Sequence, residues 1–358
     1  MGDRHTPPDS PLPNTPAKKS KTDSSTEKDE MSTASTTSAP HSAPVAPPAG
    51  DVAAAPGATG APTADAPPRV IDENTDMSTL TDQEIMKLME GMDHQEDVMN
   101  KPLISTPVPL LIIREEYVRG SPQILKKLDW LQEHGWDQVW RARGDGDCFY
   151  RSFTLAYLLR ILHSPDPALE ANLAYDAIQR ALPAMEDSGF DKDLYEEFLD
   201  PLSSLIRSFA EERETTSNEY SIVQTLQDAE RSNCIVVALR LLTSSYIRTH
   251  SSLFSPFLLS PTTFLPLSTD EFCRQEVEPC GKEADHAQIM ALSEALSIGI
   301  RVAYLDRSEI GGQGEESVIN WVEFGKDTTE EGRPLTLLYR PGHYDVVTKD
   351  VPPKIPDV

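Results

Sequence analysis

The sequence predicts an α+β domain preceded by a long segment with no core of its own. Three observations carry this reading. Residues 1–76 contain no Phe, Trp or Tyr and are crowded with Pro, Ser, Thr and Ala. Helical periodicity then dominates as far as residue 248, and four runs rich in β-branched and aromatic residues follow between 299 and 348. Helices first and strands last is the pattern of a helical lobe packed on a small, mostly antiparallel sheet.

Each element follows from local chemistry. Residues 1–76 cannot bury enough apolar surface to offset the entropy of ordering them, so they read as a disordered tail. "TDQEIMKLMEGM" (81–92) predicts a short helix. Thr81 and Glu84 fit a capping box. Ile85, Leu88, Met89 and Met92 form one apolar stripe, which either packs on its own domain or docks on a partner. "PLISTPVPLLII" (102–113) is too rich in proline for a helix interior and reads as an extended arm. "QILKKLDWLQEH" (123–134) is helical and stops at Gly135. From Cys148 to Leu162 the apolar residues predict a helix buried on most sides, and helical patterns continue through 167–183, 191–213 and 219–248. "GIRVAYL" (299–305), "VINWVEF" (318–324), "LTLLYR" (335–340) and "HYDVVT" (343–348) predict strands. The expected organisation is a tail over 1–76, one domain over 77–350 with 77–140 as its helical arm, and a short tail over 351–358.

The formal net charge is −26, from 58 acidic and 32 basic side chains. Residues 1–76 hold 11 of the acidic and 6 of the basic ones, so most of the excess lies on the part expected to fold. That balance disfavours nucleic acid, whose phosphates reward clustered Lys and Arg. It suits a basic or mixed-charge protein partner. The four cysteines, Cys148, Cys234, Cys273 and Cys280, form no C-x-x-C pair and no metal-ligand spacing, so neither metal nor cofactor is expected. "MGDRHTPPDS" lacks a signal-peptide core and no run of 18 apolar residues exists, so no membrane span is expected. The expected setting is the cytoplasm, with free thiols. The basic cluster "PAKKSK" (16–21) is solvated charge or, as the other reading, a nuclear address.

"GDGDCFYRSF" (144–153) holds the first candidate for chemistry. The thiolate is the nucleophile, and a free thiol titrates near ~8.5. A helix N-terminus favours the anion, because its unpaired N–H groups and positive dipole end face it. Gly144 and Gly146 allow a tight turn into that helix. The backbone N–H groups of Asp145 and Cys148 can converge on a developing oxyanion. Alone, Cys148 could equally be a small buried hydrophobe. The second candidate is "YRPGHYDVV" (339–347). On a strand, residues i and i+2 share a face, so Asp345 can hold the His343 imidazole while Tyr344 turns away. A nucleophile, a base and an orienting group are the parts of a catalytic triad. A Cys on a helix facing a His on a strand is the papain-like arrangement. Cys234 lies in an apolar helix, where burial should raise its pKa and leave it inert. Cys273 and Cys280 lack glycine-rich approaches. His286 follows a predicted N-cap, Asp285 with Gln288 three positions on, and reads as a surface or structural histidine.

These residues resemble a known family. "GDGDCFYRSF" is similar to the D-G-N-C-F-Y-R-x-F signature of OTU-type deubiquitinases, and of the otubain subfamily in particular. "VVALRLLTSSYIR" (236–248), "EFCRQEVEPCGKEADHAQIMALSEALSIGIRVAYLDR" (271–307) and "LLYRPGHYDVV" (337–347) also resemble otubain blocks, in the same order. The likeness spans residues 80–348 and is loose over 164–220 and 250–268, and residues 308–334 look longer than the family carries. It implies a papain-like α+β cysteine protease fold with helical arms. It implies thiol-dependent hydrolysis of isopeptide bonds at the ubiquitin C-terminus, with a preference for the proteasome-targeting linkage. By position, Cys148 would be the nucleophile, His343 the general base and Asp345 its orienting group. Asp145 would be the acidic active-site residue, serving the oxyanion pocket through its backbone. The implied partners are ubiquitin, polyubiquitin and ubiquitin-charged conjugating enzymes, and the implied state is a monomer. One residue departs from the signature: Asp147 stands where the family has Asn. A carboxylate pointing at the thiolate would oppose it, whereas one pointing to solvent would matter little. Two other functions stay open, a binding protein that suppresses conjugating enzymes without cleavage and a protease for a ubiquitin-like modifier.

Overall fold

The computed structural model describes residues 97–211, 218–308, 318–325 and 333–349. The expected N-terminal tail, the 81–92 helix and the 351–358 tail lie outside the described residues.

One six-stranded sheet organises the domain. Its strands are β1 (Val108–Pro109), β2 (Trp136–Trp140), β3 (Ile300–Tyr304), β4 (Asn320–Phe324), β5 (Leu335–Arg340) and β6 (His343–Lys349), in the order β1-β2-β6-β5-β3-β4. The β3–β5 pair is parallel and every other pair is antiparallel. The helices are α1 (Leu110–Tyr117), α2 (Pro122–Glu133), α3 (Cys148–Leu162), α4 (Pro167–Asp187), α5 (Lys192–Ala210), α6 (Glu219–Gln227), α7 (Ala229–Thr249), α8 (Ser251–Phe254), α9 (Thr269–Phe272) and α10 (His286–Leu296). A π-helical turn, Cys273–Val277, continues α9.

The strands are apolar on both sides, and alternation sends successive residues to different cores. Val302, Leu337, Tyr344 and Val346 join the large core with α3, α4, α5 and α7. Ala303, Leu338 and Val347 join a smaller core with Leu110 and Ile113 of α1 and Ile124, Leu128 and Leu131 of α2. The sheet is therefore covered on two faces. Lys127 of α2, almost fully buried, is neutralised by Asp306 just beyond β3, which ties the α2 layer to the sheet.

Three local findings differ from the sequence reading. Residues 110–113 are helical, because Pro107 and Pro109 precede the helix and do not interrupt it; Leu110 and Ile113 then face the core. The 219–248 pattern is two helices, divided at Asp228, whose side chain accepts the Arg231 N–H and caps α7. Trp136–Trp140, unassigned from sequence, is a sheet strand paired with β6. Central α3 agrees with expectation: 13 of its 15 residues are buried, and among these Arg151 must find a countercharge inside the protein.

Candidate active site

The turn before α3 is shaped by its glycines. Gly146 has φ +84°, and a Cβ there would lie 2.1 Å from the Gly281 carbonyl oxygen, so no side chain fits. Cys148 opens α3 and is only 3% exposed. Asp147 sits at the N-cap position, yet its side chain makes no capping bond to the first turn. Its Oδ1 instead accepts from Arg240 Nε (3.0 Å) and Nη2 (2.5 Å) and from the Gly281 N–H (3.0 Å). The carboxylate thus points neither to solvent nor into the helix end; it is buried against a guanidinium. Asp145 is held in the same manner. It accepts from Arg151 Nη1 (2.5 Å), Arg143 Nε (2.8 Å) and the Asp147 N–H (3.2 Å). Burial alone would raise its pKa, but the Arg151 charge and these hydrogen bonds hold it below the ordinary carboxylate range.

The histidine lies on a hairpin. β5 and β6 are joined at Pro341–Gly342, with Gly342 at φ +74° and Arg340 paired opposite His343. His343 Nε2 lies 2.8 Å from Asp345 Oδ1. Asp345 is 0% exposed, and its carboxylate also accepts the Ala142 N–H (3.0 Å) and Arg340 Nη2 (2.6 Å). Burial opposes its charge, yet the His343 hydrogen bond and the Arg340 charge keep its pKa low. Arg340 in turn bonds Glu116 of α1 (3.1 Å), so the smaller layer braces the hairpin.

Helix and strand meet through Tyr344. The Ser152 hydroxyl, one turn beyond Cys148, donates to the Tyr344 carbonyl (3.0 Å), and the Phe149 and Tyr344 rings meet edge to face at 5.6 Å. A Cβ on Gly144 would stand 3.4 Å from His343 Nδ1, so the nucleophile turn passes directly against the imidazole. With Nε2 on Asp345, Nδ1 is the nitrogen left to the thiol. Burial disfavours the imidazolium, but the Asp345 hydrogen bond, with the charges of Asp345 and the neighbouring Cys148, pushes the His343 pKa up to about 9. The structure therefore brings Cys148, His343 and Asp345 together, with Asp145 on the same turn as Cys148. The side chain of Asp145 is spent on Arg143 and Arg151, leaving its backbone for other work.

Of the rival residues only Cys280, next to Gly281, borders this site. Burial first, then the charges of Glu230, Glu197 and Asp228, raises the Cys234 pKa. Burial pushes Cys273 up to about 11. Cys280 is exposed, and partial burial of its thiol together with the Asp147 charge raises its pKa. His286 is 60% exposed on α10, where Asp285 and Gln288 form the expected capping box. Among the described residues no group of three or more His, Cys, Asp or Glu is placed to hold a metal. Sequence reasoning missed four arginines that fix this site: Arg143, Arg151, Arg240 and Arg340. The signal was present, since a lone Arg in an apolar helical run, as in "VVALRLLTSS", must find a partner when buried.

A helix-borne thiol against a strand-borne imidazole, itself held by a carboxylate on an α+β frame, defines a thiol hydrolase of the papain-like class. Comparison with known proteins agrees. The family model for peptidase C65 otubain matches residues 96–349. The OVARIAN TUMOR DOMAIN-containing deubiquitinating enzyme 1 of Arabidopsis thaliana is 34% identical over 71% of this chain and 83% of its own length. Human ubiquitin thioesterase OTUB1 is 31% identical over 76% of this chain and 93% of its own. A solved structure of h/ceOTUB1 with ubiquitin aldehyde and UBC13~Ub superposes with a TM-score of 0.62 at 26% identity, over 75% of this chain and 99% of that one. The chain belongs to the peptidase C65 otubain family of cysteine-type deubiquitinases.

Proposed function

We propose that this protein hydrolyses isopeptide bonds at the C-terminus of ubiquitin, in polyubiquitin or in conjugates, with Cys148 as nucleophile and His343 as the acid–base group. The observation that carries this reading is the His343 imidazole, held by the Asp345 carboxylate on one side and packed against the turn that carries Cys148 on the other. The sulfur, its proton taken by His343 Nδ1, attacks the terminal carbonyl carbon of ubiquitin. The oxyanion forms against the backbone N–H groups of Asp145 and Cys148. His343 then protonates the departing lysine amine, leaving a thioester. Next the imidazole takes a proton from water, the hydroxide attacks the thioester, and the thiol leaves. Asp345 holds the ring and balances its charge in both halves.

Two further features support ubiquitin as substrate. The chain is strongly acidic, at −26, and the ubiquitin tail is arginine-rich, so opposite charges steer the encounter. The solved OTUB1 complexes hold ubiquitin aldehyde with UBC13~Ub or UBCH5B~Ub. Such complexes leave room for a second reading of this chain, in which it binds ubiquitin-charged conjugating enzymes and suppresses them without cleavage. The proposed linkage preference is the proteasome-targeting one, and the proposed setting is the cytoplasm, where free thiols persist.

Linkage-defined ubiquitin dimers test the reading. The expected result is cleavage by the wild type, fastest for the proteasome-targeting linkage, and none by Cys148→Ala. Suppression of a conjugating enzyme by Cys148→Ala, combined with a wild type inert on every dimer, would favour the binding reading instead.

A further inference from the structure

We infer that Arg240 is a positioning residue for the nucleophile turn, holding it through Asp147 and through the 277–282 segment; this rests on Cys148 being the nucleophile. Arg240 lies on α7 and is 0% exposed. A guanidinium so placed must match its charge and satisfy its donors within the protein. Besides the Nε and Nη2 bonds to Asp147, Nη2 reaches the Gly146 carbonyl (3.2 Å) and the Lys282 carbonyl (2.6 Å), and Nη1 reaches the Val277 carbonyl (2.9 Å). Its Cζ lies 4.4 Å from the centre of the Tyr150 ring, on the first turn of α3. Every acceptor belongs either to the two residues just before Cys148 or to the 277–282 segment.

That segment reaches both halves of the site. Gly281 donates its N–H to the same Asp147 oxygen that Arg240 grips, and its backbone touches Gly146 too closely for any side chain. Two residues on, the Glu283 carboxylate lies against Gly342, where an added Cβ would be 3.5 Å away. Gly342 immediately precedes His343. Arg240 therefore fixes the Gly146 and Asp147 peptides that aim the Cys148 N–H and sulfur, and it anchors the strap that leans on the histidine turn. It also neutralises the carboxylate of the residue just before Cys148. A fork of fixed donors does this; a lysine, as a point charge on a flexible stem, cannot reproduce the four-way grip.

The test compares wild type, Cys148→Ser, Arg240→Lys and Gly281→Ala in the full chain. Each is assayed for kcat and KM on a ubiquitin dimer, for iodoacetamide alkylation of Cys148 without substrate, and for melting temperature. In Arg240→Lys, kcat and the alkylation rate should fall together by at least about tenfold, with KM within about threefold, because sub-ångström misplacement acts on the reacting atoms. Gly281 is exposed at φ +77°, so alanine strains the strap without disturbing the core. It should lower both rates in the same sense, by about threefold or more, with only a small fall in melting temperature from the local strain. A folded Arg240→Lys with both rates at wild-type level overturns the inference. Where Arg240→Lys does not fold, wild-type rates in Gly281→Ala overturn it. Turnover surviving in Cys148→Ser would instead remove the proposed function itself, whatever Arg240 does.

Discussion

His343 is oriented by a carboxylate two residues away on its own strand, whereas the turn that carries Cys148 is held by guanidinium groups from positions 143, 151 and 240 and by the backbone at 281. The first half of the site is local, and its chemistry is written in one tripeptide. The second half adds to its local Arg143 and Arg151 pairs a long-range one, Arg240 with Asp147, which exists only once α3, α7 and the 277–282 segment have packed. Local geometry of the first kind survives most changes elsewhere. Long-range geometry of the second kind ties the nucleophile to the stability of the helical lobe.

The largest effect should come from the local half. His343→Ala removes the group that carries the proton, so turnover of ubiquitin dimers should fall by ~10²–10⁴-fold. Wild-type rates would remove His343 from the reaction.

Asp345→Asn comes next and separates orientation from proton transfer. The imidazole, now titrating at about 9, should titrate lower and nearer the ordinary histidine value, read from its ring proton resonance. Turnover should fall at least about tenfold, since the base is then badly held and wrongly charged. The pair also stabilises the fold, and the sign follows from the two shifts. The raised His343 pKa contributes stability in full below ~6.5, and that contribution fades as pH rises through about 9. The lowered Asp345 pKa contributes stability above ~3.9, which is lost as pH falls through its folded value. The melting-temperature gap between wild type and Asp345→Asn should therefore be widest between about pH 4 and 6.5 and shrink on both sides. A gap independent of pH would mean the pair is not ionic.

The distant half should respond more mildly to its most conservative change. In Asp147→Asn the amide oxygen can keep the bonds from Arg240 and Gly281, but the buried guanidinium loses its countercharge. The expected result is turnover within about threefold of wild type and a stability loss of ~1–2 kcal/mol by denaturant unfolding. A larger loss of turnover than in Asp345→Asn would invert the comparison between the two halves. Smallest of all, deleting residues 1–76 should change neither dimer cleavage nor melting temperature, because that stretch has almost no apolar surface to bury.

How much of this was legible in the sequence follows the same division. His343 and Asp345 share a face by the period of a strand, so their pairing could be read from spacing alone. Cys148 could be placed at a helix start by the glycines before it and the buried run after it. The α+β class and the late strands were legible from periodicity. The partner of buried Arg240 was not, because nothing local says that position 240 meets position 147. Asp147 shows the cost. From sequence its carboxylate faced either the thiol or solvent, and the structure gives it a third course, toward a buried cation 93 positions away. Likewise Trp136–Trp140 is a strand only because β6 lies beside it.

The most direct test is covalent. Ubiquitin carrying a C-terminal electrophile should label the wild-type protein at one site, mapped by mass spectrometry to Cys148, and His343→Ala should slow that labelling sharply. Adducts at Cys234, Cys273 or Cys280, or labelling at Cys148 with no dependence on His343, would contradict a thiol activated by the imidazole of β6.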